Sequence, residues 1–346
     1  MSALEVGVVG LGYWGPNLLR SLSRVSQLKV RYACDLDDEK RAKLAHSYPQ
    51  TRFTGNFQEL LDDRDLGAVV VASPAPTHAD LARRALLANK DVFVEKPLAL
   101  AASDAEELVE LASERDRVLM TGHLLEYHPA VTRLKETIEA GELGEIFYVY
   151  THRLNLGVIR RNENALWSLA PHDLSLITYL LGQEPVEVRA VGHSYLGGEV
   201  EDVVFGTLRF ADGKLAHLHV SWLDPHKERK ITVVGSKKMA VFDDMARDGK
   251  LKIYDKGAEA PEYRSYGEYL NLRFGDIVMP YVPNDEPLRL ECEHFAECLA
   301  ERKQPRSDGH SGLRVVRALE ALQHSLSAGG QAVSLQSTLL ARESGG

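Results

Sequence analysis

Residues 91–97, DVFVEKP, constrain the fold of this 346-residue chain more than any other stretch. A short run of β-branched and aromatic residues is typical of a strand buried on both faces, as in parallel sheets covered by helices. Pro97 cannot donate to a sheet ladder and holds Lys96 extended, so the strand ends here. Parallel sheets bind ligands beyond the carboxyl ends of their strands, which places Lys96 in a ligand crevice. The alternative is that Glu95 and Lys96 are ordinary solvated charges.

A glycine-rich motif follows the first predicted strand, residues 4–9. Residues 10–15 read GLGYWG, and Pro16 with leucines at 18, 19 and 22 indicates a helix directly afterwards. The first glycine allows a tight turn, the second lets the backbone approach a pyrophosphate, and the third permits close packing of the helix, whose N-terminus faces the phosphates. The predicted cofactor residues of this loop are Gly10, Gly12, Tyr13, Trp14 and Gly15.

Asp35 follows the second predicted strand, residues 29–33, and lies twenty residues after Gly15. A carboxylate at this spacing accepts hydrogen bonds from both hydroxyls of a ribose. Leucine and two aspartates follow it, so no arginine is in place to neutralise a 2′-phosphate. The sequence therefore predicts NAD rather than NADP as the cofactor.

Further strands at residues 68–72 and 118–121 alternate with helical segments, which is repeated βα winding. The turn SPAPTH, residues 73–78, follows a strand at the binding edge. We predict that Ser73, Pro74, His78 and Glu95 line the cofactor, the alternative being a proline-rich turn that only packs. Residues 1–122 are predicted to form a Rossmann dinucleotide-binding domain of the α/β class.

From residue 123 to 346 the pattern changes to alternating strands, typical of a large, mostly antiparallel sheet in an α+β domain. These strands are predicted at 146–153, 186–192, 202–210, 215–222, 230–234 and 239–242, and two apolar helical stripes near the end are expected to pack back on the first domain. The sheet exposes aromatic side chains, which favours an oligomer interface: Tyr148, Tyr150, Phe205 and Trp222. His217 and His219 share a strand face, and a role on the sheet surface is favoured over a metal site; no metal site is predicted.

Composition excludes several function classes. The formal charge of −9 argues against a nucleic-acid or anionic-membrane partner, and no apolar run is long enough to span a membrane. No export leader is present, so we expect a cytoplasmic protein. The three cysteines lack metal-ligand spacing and read as buried residues in a reducing compartment.

Four motifs in order resemble the Gfo/Idh/MocA family of nicotinamide-dependent sugar and polyol oxidoreductases. They are VVGLGYWG at 8–15, ASP at 72–74, EKP at 95–97 and PHD at 171–173, and the resemblance covers essentially the whole chain. It implies the oxidation of a secondary alcohol on a sugar or cyclitol. It also implies a homo-oligomer, a dimer or tetramer assembled through the sheet of the second domain.

The resemblance also implies the reacting residues. His172 matches the family histidine, and an imidazole titrates near neutral pH, which suits the proton acceptor of the reaction. The carboxylate common four residues earlier is replaced by Ser168, which can bind substrate but cannot take a proton at pH 7. Lys96 either stabilises alkoxide character or shuttles the proton itself. Asp173 either orients the imidazole or stabilises the first turn of a helix, and Tyr127 matches a substrate-facing position.

Longer sequence motifs are similar to those of the nucleotide-sugar branch of the family, whose members oxidise C3 of UDP-N-acetylglucosamine or its uronic acid in polysaccharide biosynthesis. The matching stretches include GYWGPN at 12–17 and LWSLAPHDLS at 166–175. Cations for a diphosphate would come from Arg153, Arg160, Arg161, Lys227 and Arg229. The alternatives are a dehydrogenase of a free sugar or inositol, a 3-ketoreductase of a deoxysugar nucleotide, and a non-catalytic NAD-dependent sensor.

Overall fold

The structure is a computed structural model that describes residues 3–157, 159–160, 163–198, 200–259 and 271–335. The chain divides into two compact units. The first contains the chain up to His128 together with Asp285–Arg317, and the second contains Pro129–Asn284 and the chain from Ala318 onwards. This division differs from the boundary predicted at residue 122, because a segment near the end of the chain belongs to the first unit.

The helices and strands alternate regularly in the first third of the chain. They are β1 (Leu4–Val9), α1 (Gly15–Leu22), β2 (Leu28–Cys34), α2 (Asp38–Ala45), β3 (Arg52–Thr54), α3 (Gln58–Asp62), β4 (Ala68–Val71), α4 (His78–Leu87), β5 (Asp91–Glu95), α5 (Ala102–Glu114) and β6 (Leu119–Gly122). The later elements are α6 (Pro129–Glu139), β7 (Ile146–Leu154), α7 (Ala165–Leu181), β8 (Glu187–His193), β9 (Val203–Arg209), β10 (Leu215–Ser221), β11 (Glu228–Gly235), β12 (Met239–Asp243), β13 (Leu251–Glu259), β14 (Asn271–Val278), α8 (Pro287–Glu301), α9 (Gly309–Ser327) and β15 (Val333–Ser334).

The first unit is built on a six-stranded parallel sheet of order β3-β2-β1-β4-β5-β6. The chain reverses its direction of winding between β1 and β4, and ligands of such sheets bind at this point, beyond the carboxyl ends of the strands. The predicted Rossmann domain is therefore confirmed. Of the six strands, only β3 was not predicted, since three residues are too few to show a period; the short helix α2 was not predicted either.

Both faces of this sheet are buried, as the apolar strands predict. On one face Val8 and Phe93 pack with residues of α1 and α8, and Phe93 meets Phe295 edge to face at 5.5 Å. On the other face Val71 and Val94 pack with residues of α4 and α5. Each fully buried side chain of this size stabilises the fold by about 1.5–3 kcal/mol, which holds the carboxyl edge of the sheet in place.

The second unit contains a nine-stranded sheet of order β14-β13-β12-β11-β7-β10-β9-β8-β15. Only the pair β7 and β10 is parallel, so the predicted, mostly antiparallel sheet is confirmed. The hairpin between β9 and β10 turns at Gly213, whose φ of 87° requires glycine. The strands β13, β14 and β15 were not predicted from the sequence.

One face of the large sheet carries exposed aromatic side chains. Tyr148 and Phe205 are each more than two-fifths exposed, and His219 stacks on Phe205 at 4.3 Å. His219 thus belongs to an aromatic surface. Trp222 is an exception to the prediction, because it is 3% exposed at the end of β10 and belongs to the core. None of the helices that the structure describes is long and apolar enough to cross a membrane.

Candidate active site

The glycine-rich loop joins β1 to α1 and has the geometry of a phosphate loop. Gly10 has a φ of 95°, and a Cβ there would lie 2.5 Å from the backbone nitrogen of Ser73. A Cβ on Gly15 would lie 1.9 Å from the carbonyl oxygen of Gly10. At Gly12, by contrast, a Cβ would meet no described atom within 4 Å. The loop therefore needs two of its glycines for its own shape and leaves open space at the third, as a bound pyrophosphate requires.

Asp35 lies just beyond β2, and backbone donors fix its carboxylate. The N–H of Leu11 donates to Oδ2 at 2.6 Å and the N–H of Asp37 donates to Oδ1 at 2.9 Å. Arg41 donates to the backbone carbonyl of Asp35 rather than to its carboxylate. A carboxylate oriented in this way beside the glycine loop fits the ribose diol of NAD, because its oxygens can accept hydrogen bonds from both hydroxyls.

The turn after β4 lies at the same edge of the sheet, but its residues differ in exposure. Pro74 is exposed, and the hydroxyl of Ser73 lies 2.7 Å from that of Thr77. His78 is 1% exposed, and its ring nitrogens lie within 2.8 Å of two backbone carbonyl oxygens. The prediction that His78 contacts the cofactor needs correction, because a ring this deeply buried and already bonded supports the loop from behind.

Glu95 and Lys96 stand at the end of β5, the position that the sequence predicts. The backbone N–H of Lys96 donates to Oε2 of Glu95 at 3.2 Å. Burial raises the pKa of Glu95 to about 7, although Lys96 and a hydrogen bond from Trp14 oppose that shift. Trp14 therefore links the glycine loop to β5. The carboxyl group titrates in the neutral range, beside the ammonium group of Lys96.

His123 lies beside Lys96 and was not recognised from the sequence. Glu95 pairs with Gly122 in the parallel register of β5 and β6, so the next residues of the two strands are neighbours. His123 is 1% exposed, and burial, with Arg314 and Lys96 nearby, lowers its pKa to about 3. A neutral imidazole thus flanks Lys96. Its place directly after a parallel strand was the signal that could have identified it.

Tyr127 packs inside the first unit instead of facing a substrate. It is 3% exposed, and its hydroxyl lies 2.9 Å from that of Ser307. The guanidinium of Arg306 lies 5.0 Å from its ring centroid. The predicted substrate contact therefore needs correction, because the side chain of Tyr127 contacts Ser307 and Arg306 inside the first unit.

Glu291 is a second residue that the sequence analysis missed. It is 0% exposed, and neither carboxyl oxygen has a hydrogen-bond partner among the described residues. Burial, with Glu95 and Glu126 nearby, raises its pKa well above the usual range, so the group is protonated. Its position on the apolar stripe of α8, three residues after Leu288, could have identified it in the sequence as a buried carboxyl group.

The predicted reacting residues of the second unit lie on α7. Asn164 caps the start of this helix by accepting a hydrogen bond from the N–H of Trp167 at 3.1 Å. Ser168 and His172 are one helical turn apart, so they share a face of the helix, and both are half-buried. The structure thus brings the predicted serine and histidine together.

Arg153 and Asp173 form a buried ion pair between β7 and α7. Nε and Nη2 of Arg153 donate to the two carboxyl oxygens of Asp173, both at 3.0 Å, and the residues are 8% and 2% exposed. Asp173 lies in the middle of α7, so it neither stabilises the first helical turn nor is directed at the imidazole. The guanidinium fork of Arg153 is already filled, which corrects its predicted role as a diphosphate ligand.

Arg160 and Lys227 lie on loops of the second unit, and Arg229 lies in β11. Arg160 is 56% exposed at its side chain and pairs with Glu163 at 2.6 Å, and Arg229 lies 3.5 Å from Asp244. Lys227 is exposed. Arg161 lies outside the described residues. Within the described ranges, no group of three or more His, Cys, Asp or Glu side chains is arranged to hold a metal ion.

Comparison with known proteins agrees with this geometry. Residues 4–123 match the sequence model of an oxidoreductase family with an NAD-binding Rossmann fold, and residues 131–241 match that of the GFO/IDH/MocA C-terminal domain. UDP-N-acetylglucosamine 3-dehydrogenase of Acidithiobacillus ferrooxidans is 28% identical over 323 residues, which is 92% of this chain and 96% of that protein. A solved structure of that enzyme superposes with a TM-score of 0.79 at 26% identity, covering 95% of this chain and 99% of that chain.

Two other relatives show the range of similarity. Inositol 2-dehydrogenase of Salmonella typhimurium is 28% identical over 186 residues, 52% of this chain and 55% of that protein. The structure of GenD2 from gentamicin A biosynthesis, in complex with NAD, has a TM-score of 0.81 and 25% identity over 97% of each chain.

The open glycine loop and the oriented Asp35 carboxylate of this chain have the chemistry of an NAD site, in agreement with the NAD-binding family model.

Proposed function

Because the chain belongs to the Gfo/Idh/MocA family of oxidoreductases and contains an NAD-binding Rossmann domain, we propose that it oxidises a secondary hydroxyl of a UDP-N-acetylhexosamine-type nucleotide sugar, at C3, to the 3-keto sugar. One observation carries the choice of substrate. The UDP-N-acetylglucosamine 3-dehydrogenase matches 92% of this chain, whereas the inositol dehydrogenases of Salmonella typhimurium and Thermotoga maritima match 52% and 73% of it. The proposal includes a cytoplasmic location and a role in polysaccharide biosynthesis.

NAD supplies the acceptor for the hydride that leaves the carbon, and the chain supplies the acceptor for the proton that leaves the hydroxyl. We assign the proton to His172, because imidazole is the side chain best suited to proton transfer near neutral pH. Lys96 stabilises negative charge on the reacting oxygen through its ammonium group. Ser168 shares the helix face of His172 and binds the sugar as a neutral hydrogen-bond partner.

The proposed ligands of the diphosphate are four cationic residues that follow β7 in the chain. Arg160 and Arg161 are the leading candidates, with Lys227 and Arg229 in support. Arg160 is exposed, so exchanging Glu163 for a phosphate oxygen costs little. Arg153 is not included, because its guanidinium is buried against Asp173.

The proposal also includes a homo-oligomer, a dimer or tetramer formed through the large sheet. The support is the set of exposed apolar residues on one face of this sheet: Tyr148, Val191, Phe205 and Leu215. Exposed patches of this kind are covered in stable assemblies. Size-exclusion chromatography with light scattering tests this part, and a monomer at micromolar concentration would contradict it.

The decisive experiment is a screen for NADH formation with NAD and four substrates: UDP-N-acetylglucosamine, its uronic acid, myo-inositol and glucose. We expect activity with a UDP sugar, competitive inhibition by UDP, and no activity with inositol. Activity with inositol or glucose alone, without inhibition by UDP, would replace the proposal with the free-sugar alternative. NAD binding without turnover of any substrate would favour a sensor.

Arg160→Ala then tests the diphosphate contact. Each charge-assisted hydrogen bond contributes about 1.5–3 kcal/mol, so we expect KM for the UDP sugar to rise roughly 10- to 100-fold. The value of kcat should change little, because the diphosphate is held equally in ground and transition states. Arg133→Ala is the matched control, since Arg133 is also exposed and pairs with an acid three residues later. Equal KM values for both variants would exclude Arg160 as a ligand.

A further inference from the structure

His78 joins two parts of the first unit that the proposed reaction uses separately. Its Nδ1 lies 2.7 Å from the carbonyl oxygen of Pro97, and its Nε2 lies 2.8 Å from the carbonyl oxygen of Ser73. The residue begins α4 and is 1% exposed. Both partners are pure acceptors, so the neutral ring, which carries one N–H, donates to Pro97 in one tautomer and to Ser73 in the other.

Each of the two carbonyl groups belongs to a segment with its own task. Pro97 directly follows Lys96, so the first contact fixes the turn that carries the ammonium group. The backbone of Ser73 packs against Gly10, where a Cβ would lie 2.5 Å from the Ser73 nitrogen, so the second contact supports the glycine-rich loop. One buried ring thus holds both the lysine turn and the wall of the cofactor loop.

We propose that His78 is a positioning residue that couples the cofactor loop to Lys96, acting through the carbonyl groups of Ser73 and Pro97. It touches neither cofactor nor substrate, because its ring is buried behind both segments. The contact with Pro97 governs the placement of Lys96, and hence kcat. The contact with Ser73 governs the shape of the cofactor loop, and hence the affinity for NAD.

The two contacts can be separated by substitution, because amide side chains imitate the two ring nitrogens. The amide nitrogen of asparagine reaches the place of Nδ1, and that of glutamine reaches the place of Nε2. Burial, with Lys96 nearby, lowers the pKa of His78 despite the two carbonyl groups, so the ring is neutral near pH 7 and neutral amides are suitable replacements. His78→Asn therefore keeps a donor for Pro97, and His78→Gln keeps a donor for Ser73.

The test compares His78→Leu, His78→Asn and His78→Gln in the full-length protein. NAD affinity is measured by calorimetry without substrate, and kcat is measured with whichever substrate the screen identifies. Losing a buried hydrogen bond costs about 0.5–1.5 kcal/mol. Because the two tautomers share one N–H, His78→Leu should weaken NAD binding, lower kcat, or do both, by about two- to tenfold. We expect His78→Asn to restore kcat to within about twofold of wild type, and His78→Gln to restore NAD affinity to the same degree.

Leu86→Ala is the control for general destabilisation, since Leu86 is fully buried on the same helix and meets neither carbonyl group. It should lower the melting temperature and leave kcat and NAD affinity unchanged at 25 °C. The proposal is overturned if His78→Leu changes neither quantity, or if neither amide restores its own quantity. Failure of the nucleotide-sugar assignment leaves this test intact, because the calorimetry needs no substrate.

Discussion

Removing Arg153 from its buried ion pair with Asp173 distinguishes a structural role of this arginine from a role in substrate binding. Arg153→Leu leaves the carboxyl group of Asp173 unpaired at 2% exposure. An unpaired buried carboxylate takes up a proton, which costs about 1.4 kcal/mol for each pH unit above its usual pKa of ~3.9. Burial already raises the pKa of Asp173 in the wild type, although Arg153 opposes that shift, so the loss of stability is at most about 4 kcal/mol at pH 7 and about 1.5 kcal/mol at pH 5.

The direction of the pH dependence follows from proton linkage. In the variant, the pKa of Asp173 is raised in the folded state above its value in the unfolded state. The folded protein then binds more protons, so its stability falls as the pH rises above ~4. At about 2–4 °C for each kcal/mol, the melting temperature should drop by at most about 8–16 °C at pH 7 and about 3–6 °C at pH 5.

Differential scanning fluorimetry of the purified variants at the two pH values measures both effects. The double variant Arg153→Leu/Asp173→Leu should recover most of the loss, because apolar residues can replace a buried ion pair at little cost. Arg160→Ala is the control, since an exposed pair contributes about 1 kcal/mol or less. An equal loss at both pH values would refute this reasoning. An unchanged melting temperature with a raised KM would restore Arg153 as a substrate ligand.

Three further predictions concern the first unit. Lys96→Met should lower kcat by about two to four orders of magnitude, measured by initial rates, and leave NAD binding unchanged, measured by calorimetry. Activity within tenfold of wild type would show that Lys96 is only a charge at the end of a strand. Wild type should bind NAD and discriminate against NADP, whereas Asp35→Ala should lose about 10- to 100-fold in NAD affinity; equal affinities of wild type for both cofactors would exclude Asp35 as the ribose ligand. Burial raises the pKa of Glu95 to about 7, so its ionisation destabilises the fold as the pH rises, and Glu95→Gln should melt higher than wild type at pH 8 but not at pH 5. A melting difference that does not change with pH would contradict the assigned ionisation.

The sequence alone predicted five of the six strands of the first sheet, together with the glycine-rich loop and the carboxylate of the proposed cofactor site. A strand, a glycine loop and a helix are local patterns, and Asp35 and Lys96 follow strands whose carboxyl ends meet at one edge in any parallel sheet. The alternation of apolar and polar residues is also a local pattern, and it predicted most strands of the second sheet. The strand β3 was missed because it has only three residues.

Only the tertiary structure decided which polar side chains bind each other. His78 meets Pro97, nineteen positions away, Arg153 meets Asp173 across twenty positions, and Tyr127 meets Ser307 across 180. Sequence periodicity fixes the face on which a residue lies, but a partner depends on how elements remote in the chain pack. Three residues assigned to ligands from their type and position therefore proved to be held by the protein itself, because a buried donor or charge must be satisfied where it lies.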